Sequence, residues 1–170
     1  TGAQVLDTRK TTPGLRALEK YAVRAGGGTN KRMGLYDVAM VKDNHKLAAG
    51  SVAGAYAAVR STFPDVDVQV EVTTVAEAVE AVAAGARFLL LDNMEPPLLR
   101  EVVAAVRASQ ARVELEATGG LTLERAREFG ETGVDYLSVG ALTHSSPVLD
   151  VALDLAPPEA QPASSSSRRS

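Results

Sequence analysis

Apolar and polar positions along the chain switch repeatedly between two periods. Residues 3–6, 38–41, 66–72, 87–91, 112–117 and 134–139 form short apolar or alternating runs with the length and composition of buried strands. Between them lie stretches with helical spacing. Residues 13–25 put Leu15, Leu18, Tyr21 and Ala22 near one face, which predicts a helix covering the sheet, with Thr12 as N-cap and Pro13 at the first helical position. The alanine-rich residues 47–63 predict one long helix closed by Pro64. Thr74 and Glu77 have the spacing of a capping box and open a helix that ends at Gly85, Pro96 and Pro97 start another that runs to Ser109, and residues 123–129 predict the last.

Strand–helix alternation of this kind argues an α/β fold with a parallel sheet and right-handed crossovers. A closed eight-stranded barrel takes about 250 residues, and this chain has 170. The expectation is an open six-stranded parallel (β/α) barrel, TIM-barrel-like, over residues 1–147. Residues 148–155 alternate apolar and acidic side chains as an edge strand does, so a terminal strand is assigned to 148–156. The rest, 157–170, is expected to be a disordered tail, for its serine run and Arg168-Arg169 are of low complexity. A chain that opens on Thr1 and enters its first strand at once is expected to be a fragment or a processed product.

Composition narrows the chemistry. A 45% hydrophobic and 23% charged chain is ordinary for a globular domain with a usable core. The formal net charge of −3 and the pI near 5.4 give no bulk attraction to nucleic acid or membrane, and neither is expected as a partner. The absence of cysteine excludes disulfides, thiolate zinc sites and cysteine nucleophiles, and makes the cytoplasm the default compartment. No run approaches the ~20 apolar residues that span a bilayer.

Against this acidic background, Arg9, Lys10, Lys31, Arg32 and Lys42 stand out, because they cluster around the first two strands and outside any helical stripe. Arg9 and Lys10 lie on a strand-to-helix turn, and Lys42 occupies the same place one unit later. Loops at the carboxyl ends of parallel strands converge on one face, so separate pieces of sequence deliver positive charge to one place. Any one of these residues alone would be a solvated loop cation; the group predicts an anion site. The triplet Gly26 to Gly28 has two readings, a helix C-cap or a bare loop that lets backbone approach a phosphate or carboxylate, and composition favours neither.

Carboxylates recur on the same rim: Asp7, Glu71, Asp92 and Glu116 end successive strands. Beside an anion they must hold ribose hydroxyls, a bridging magnesium ion or the cations themselves. Glu71 and Asp92 are the candidates for ribose and magnesium, directly or through water. Asp7 and Glu116 are expected to fix Arg9 or Lys42. Thr118, Gly119 and Gly120 after the fifth strand, and Gly140 after the sixth, are expected to offer backbone N–H groups to a phosphate near a helix N-terminus, or else to be tight turns. His144 is placed at the phosphate end and His45 in a supporting role; their spacing suggests no metal pair.

The strings DTRKTTPGLR, AGGGTNKRMGLYD and MVKDNH, and the chain onward to about Asp154, resemble quinolinate phosphoribosyltransferase. The resemblance implies an open six-stranded barrel preceded by an amino-terminal domain that does not lie within these 170 residues. That domain would pair with the 148–156 strand and supply a further arginine to the neighbouring subunit's site. It also implies an enzyme of NAD biosynthesis, homodimeric or a higher homo-oligomer, that joins quinolinate to phosphoribosyl pyrophosphate with magnesium and releases nicotinate mononucleotide, pyrophosphate and carbon dioxide. On this reading Arg9, Lys31 and Arg32 clamp the acid, while Lys10, Lys42, Glu71 and Asp92 serve the pyrophosphate and ribose. Two positions depart from the family: Lys31 stands where histidine is usual and Thr118 where serine is usual. A related phosphoribosyltransferase acting on another acidic base such as nicotinate, and a non-catalytic anion-binding barrel, are the alternatives.

Overall fold

A computed structural model of the chain describes residues 1–155. Its elements in order are β1 (Gln4–Leu6), α1 (Arg16–Ala25), β2 (Ala39–Val41), α2 (Asp43–Ala49), α3 (Val52–Thr62), β3 (Val68–Val72), α4 (Val75–Ala83), β4 (Phe88–Asp92), α5 (Pro96–Ala108), β5 (Glu114–Thr118), α6 (Ala126–Gly130), β6 (Tyr136–Ser138) and α7 (Ala141–His144). All strand pairs are parallel, in the order β1-β6-β5-β4-β3-β2. The first two strands are therefore the two free edges. Side chains from or just beyond both edges, Thr8 and Met40, line one cavity with residues of β3 to β6, so the sheet curls into a barrel left open between β1 and β2. This is the expected open six-stranded barrel. Part of the gap is filled by the segment after α1: Thr29 N–H donates to Val5 O (2.8 Å) and Thr29 O accepts from Asp7 N–H (3.2 Å).

Strand alternation separates two environments. Val68, Val70, Val72, Leu89, Leu91, Leu115, Ala117 and Leu137 lie in the buried apolar cluster that also contains Ala78, Ala81, Leu99, Val102 and Val106 of the helices. Full burial of each Leu or Val stabilises the fold by about 1.5–3 kcal/mol. The alternate positions, Glu71, Asp92, Glu116, Thr118 and Ser138 among them, belong to the barrel interior, which is polar towards the carboxyl ends. Near the amino ends Phe88 and Tyr136 stack at 5.7 Å across β5.

Three expectations change, all of them in helices, while the partner implied for a 148–156 strand lies outside these 170 residues. The long helix over 47–63 is two helices, because Gly50 adopts a left-handed conformation (φ 80°) that ends α2, and Ser51 then N-caps α3 by accepting from Gly54 N–H. The helix after Pro13 starts only at Arg16, and its apolar positions do not cover the sheet: Leu18 is 62% and Tyr21 70% exposed, whereas Lys20 is buried. The reason is electrostatic, for Lys20 reaches inward to Asp7 and turns the polar side of α1 to the barrel. Residues 148–155 join no strand, and Val148, Leu149, Val151, Leu153 and Leu155 are exposed. The expected tail at 157–170, and residue 156, lie outside the described residues. Among the described residues no helix is long and apolar enough to cross a membrane.

Candidate active site

Two cavities of about 270 and 430 Å³ open side by side at the carboxyl ends of the strands and share Thr8, Lys10, Asp92, Thr118 and Ser138. The first is also lined by Arg9, Lys31, Arg32, Lys42 and Glu71, the second by Gly119, Gly120, Gly140 and His144. The residues assigned to substrate and magnesium from sequence thus fall in one continuous cleft, whereas Asp7, Glu116, His45 and the Gly26 to Gly28 triplet do not line it. A larger cavity of about 680 Å³ lies at the amino-terminal mouth of the barrel and contains none of them.

Each cation is held differently. Lys31 Nζ donates to Glu116 Oε1 at 2.5 Å, and Ser138 Oγ donates to the same oxygen at 2.5 Å. Glu116 is fully buried and its other oxygen has no partner among the described residues. Burial pushes the Lys31 ammonium below the ordinary lysine range; Glu116 opposes that shift, and the charges of Arg32 and Lys42 add to it. Arg32 donates to Val38 O at 2.7 Å, and its affinity for the proton is lowered by burial and by neighbouring Arg9. Arg9 Nε is a buried donor without a partner among the described residues, in a side chain that lines the cleft. Lys42 Nζ pairs with Glu71 at 2.5 Å while half exposed, and its backbone N–H donates to His45 Nδ1 at 2.9 Å, which gives His45 the supporting role expected of it. Lys10 is exposed, and its carbonyl is held by Thr143 Oγ1 at 2.8 Å.

The carboxylates sort differently from expectation. Asp7 holds neither Arg9 nor Lys42: its partners are Lys20 Nζ (2.5 Å), Asn30 Nδ2 (2.6 Å) and the Lys31 N–H (2.8 Å). Glu116 holds Lys31, and Glu71 takes Lys42. The Asp7 and Glu116 pairings come from residues 28–33 at the open edge, whereas Lys42 and Glu71 meet across the adjacent strands β2 and β3. The glycine triplet resolves as a helix end: Gly26 N–H donates to Ala22 O, Gly27 to Arg24 O and Gly28 to Val23 O, on the flank and outside the cleft. At the second cavity the helix-terminus expectation divides: Gly140 is the N-cap of the short α7, whereas α6 begins only at Ala126, well beyond Gly119 and Gly120. What remains there is close backbone. Gly119 (φ 95°) packs where a Cβ would collide with Asn93, and a Cβ at Gly140 would come within 2.7 Å of His144 Nε2.

Sequence reasoning missed Thr8, Ser138 and Asn93. Ser138 had a usable signal, because it lies two residues before Gly140 on an alternating strand and so points with the rim residues. Thr8 is in phase with Leu6, the register partner of Ser138, and would follow from the same alternation. Asn93 adopts φ 51°, donates to Asp92 Oδ2 at 2.8 Å, and follows a strand-ending aspartate.

Five cations face three carboxylates, Glu71, Asp92 and Glu116, so the cleft keeps net positive charge in a partly dry setting. With arginine and lysine supplying directional donors, and small residues making room, this is a parallel α/β barrel with a cationic cleft at its carboxyl rim. The chain matches the description "Quinolinate phosphoribosyl transferase, C-terminal domain" over residues 1–154 and belongs to that family. It is 50% identical over 157 residues to a nicotinate-nucleotide pyrophosphorylase (carboxylating) of Mycobacterium leprae, covering 91% of this chain and 55% of the relative. A probable enzyme of the same name from Bacillus subtilis is 48% identical over 153 residues, with 89% and 52% covered. The structure of NadC from Streptococcus pyogenes superposes with a TM-score of 0.79 at 44% identity, covering 84% of this chain and 50% of that one. The chain spans about half the length of the curated relatives it matches.

Proposed function

We propose that this barrel is the catalytic part of an enzyme that transfers the phosphoribosyl group of phosphoribosyl pyrophosphate to quinolinate, with loss of carbon dioxide, in NAD biosynthesis. The observation that carries the reading is the convergence of Arg9, Lys31, Arg32 and Lys42 on one cavity beside Glu71 and Asp92. Arg9, Lys31 and Arg32 bind the two carboxylates of quinolinate and fix the ring plane; the buried Arg9 Nε, which has no partner among the described residues, donates there. Lys10 and Lys42 bind pyrophosphate. Glu71 and Asp92 orient the ribose hydroxyls, and Thr118, Gly119, Gly120, Gly140 and His144 surround the 5′-phosphate.

In this arrangement the pyridine nitrogen forms a bond to ribose C1 as the C1–O bond to pyrophosphate breaks and its electron pair leaves with pyrophosphate. Positioning and charge complementarity supply the acceleration, and no covalent enzyme intermediate is needed. Once the nitrogen is quaternised, the 2-carboxylate departs as carbon dioxide, its electron pair stays at ring C2 and is protonated there, and nicotinate mononucleotide results.

The carboxylates suit magnesium of a particular kind. Among the described residues no three or more His, Cys, Asp or Glu side chains are grouped to hold a metal. Glu71 and Asp92 instead offer the one or two hard oxygen donors that accompany a substrate-borne magnesium ion with its waters. Bound with the pyrophosphate, the ion would neutralise the leaving group. A homodimer or higher homo-oligomer in the cytoplasm fits the family reading.

The test is an assay of the chain with quinolinate, phosphoribosyl pyrophosphate and magnesium, following nicotinate mononucleotide and carbon dioxide, together with calorimetric binding of quinolinate and of nicotinate. Arg32→Ala should weaken quinolinate binding roughly a hundredfold, as loss of a partly buried charge pair does. Unchanged affinity would remove Arg32 from the clamp. Tighter binding of nicotinate than of quinolinate would overturn the substrate assignment, and binding without turnover would make this chain a binding half.

A further inference from the structure

We infer that the buried Asp7–Lys20 ion pair, bridged by Asn30, is a positioning device that sets where Lys31 and Arg32 stand over the acid-binding cavity. The inference rests on the proposed reading of that cavity as the quinolinate site. Asp7 is fully buried and Lys20 is 2% exposed, and neither lines the cleft. Removing two charges from water is costly, and an apolar pair of similar volume often stabilises a fold as well or better. The hydrogen bonds show what an apolar pair could not do. Asp7 Oδ1 accepts both Lys20 Nζ (2.5 Å) and the Lys31 N–H (2.8 Å), while Lys20 Nζ also donates to the Lys31 carbonyl (3.0 Å). Both backbone polar groups of Lys31 are thus held by the one pair, which fixes the peptide planes on either side of that residue. Asn30 Nδ2 closes the arrangement by donating to Asp7 Oδ2 (2.6 Å) and to the Lys20 carbonyl (2.8 Å).

The location explains why a loop here needs such a hold. Residues 28–33 cross the gap between β1 and β2, where no strand ladder continues, and apart from Thr29 they meet β1 through this network. Lys31 must then reach Glu116 on β5, and the adjacent Arg32 must reach Val38 O before β2. A shift of the Lys31 backbone would move two of the three cations assigned to the acid and would leave Lys10 and Lys42, held from other segments, in place.

The experiment compares the wild-type chain with Lys20→Met and with Asn30→Ala, which keeps both charges and removes only the bridge. On each folded sample, calorimetry gives dissociation constants for quinolinate and for magnesium pyrophosphate, and amide hydrogen exchange is followed at residues 28–33 and in β3 to β5. Lys20→Met should weaken quinolinate roughly tenfold, as misplacement from outside a site does. Asn30→Ala should weaken it about fivefold, the worth of one hydrogen bond. Pyrophosphate should stay within about twofold, the scatter of independent sites. Exchange at Lys31 and Arg32 should quicken while β3 to β5 stay protected. Parallel weakening of both ligands, or no change in either, would overturn the inference. If Lys20→Met does not fold, Asn30→Ala decides. If the wild type binds no quinolinate, the substrate reading fails, and exchange at Lys31 and Arg32 still decides whether the pair holds the loop.

Discussion

At the amino-terminal mouth of the barrel, Arg60, Arg87 and Arg112 stand with Asp67 and Glu114 around a cavity of about 680 Å³. At the carboxyl rim, Arg9, Lys31, Arg32 and Lys42 stand with Glu71 and Asp92 around one of about 270 Å³. The chemical inventory is similar and the larger space is at the mouth. The difference is burial. All five charged side chains at the mouth are exposed, and Arg60 and Arg87 donate to the nearby carbonyls of Val66 and Ala86. At the rim Glu71 and Glu116 are buried, Lys31 and Arg32 are partly so, and the strongest pairings run between distant segments. Charges in water are screened and cheap to place; charges withdrawn from it interact more strongly and must be paired. Cavity volume does not separate the two ends, whereas burial of the charges does.

Strand β5 holds the comparison in one place, because Glu114 and Glu116 share a face and differ in depth. Glu116→Ala removes the buried partner of Lys31 and of Ser138 and should cost about 3 kcal/mol of stability, as breaking a buried pair does. Glu114→Ala, at an exposed position, should stay within about 0.5 kcal/mol. Denaturant unfolding of the two variants measures the contrast. Equal losses would mean that depth along the barrel does not govern these charges.

The layering of this chain was legible where local pattern and tertiary role agree. Val68, Val70 and Val72 announce a buried strand face by alternation, Leu89 to Leu91 announce a strand by their continuous apolar run, and the turn positions of Arg9, Lys10 and Lys42 announce one rim. Gly50-Ser51 carried a legible break that helix propensity in the surrounding alanines obscured. The apolar spacing of Leu15, Leu18 and Tyr21 predicted a buried face, and the Lys20–Asp7 attraction reversed it. Pair identities were beyond reach. Lys31 and Glu116 lie 85 residues apart, and nothing local chooses Glu116 over Asp7 as the partner of a given lysine until the sheet has curled.

Titration sharpens the contrast further. Burial, with Arg32 and Lys42 nearby, lowers the proton affinity of Lys31 despite Glu116. Between its folded value and the ordinary 10.5 the unfolded chain binds more protons than the native one, so this group makes stability rise with pH across that window. Quinolinate affinity should move the opposite way, falling as Lys31 loses its charge at lower pH than an exposed lysine would. Comparing the wild type with Lys31→Arg isolates the effect, since arginine stays charged throughout. A severalfold fall in affinity that Lys31→Arg flattens is the expected result, and superimposable pH profiles would show that Lys31 does not contact the acid.

The smallest effect belongs to the mouth, and it is the one that gives the others meaning. Arg112 is exposed there, lines the cavity at that end, and has the same charge and reach as Arg32. If positive charge near a cavity were enough to bind an anion, Arg112→Ala would weaken quinolinate or pyrophosphate measurably. If partial burial and backbone anchoring make the difference, the substitution should leave both affinities unchanged and stability within about 0.5 kcal/mol, as surface substitutions do. Calorimetry on Arg112→Ala beside Arg32→Ala separates these outcomes. A loss at Arg112 comparable to that at Arg32 would mean that the anion is drawn by the field of the whole barrel, and the rim would lose its claim to be the site on charge alone.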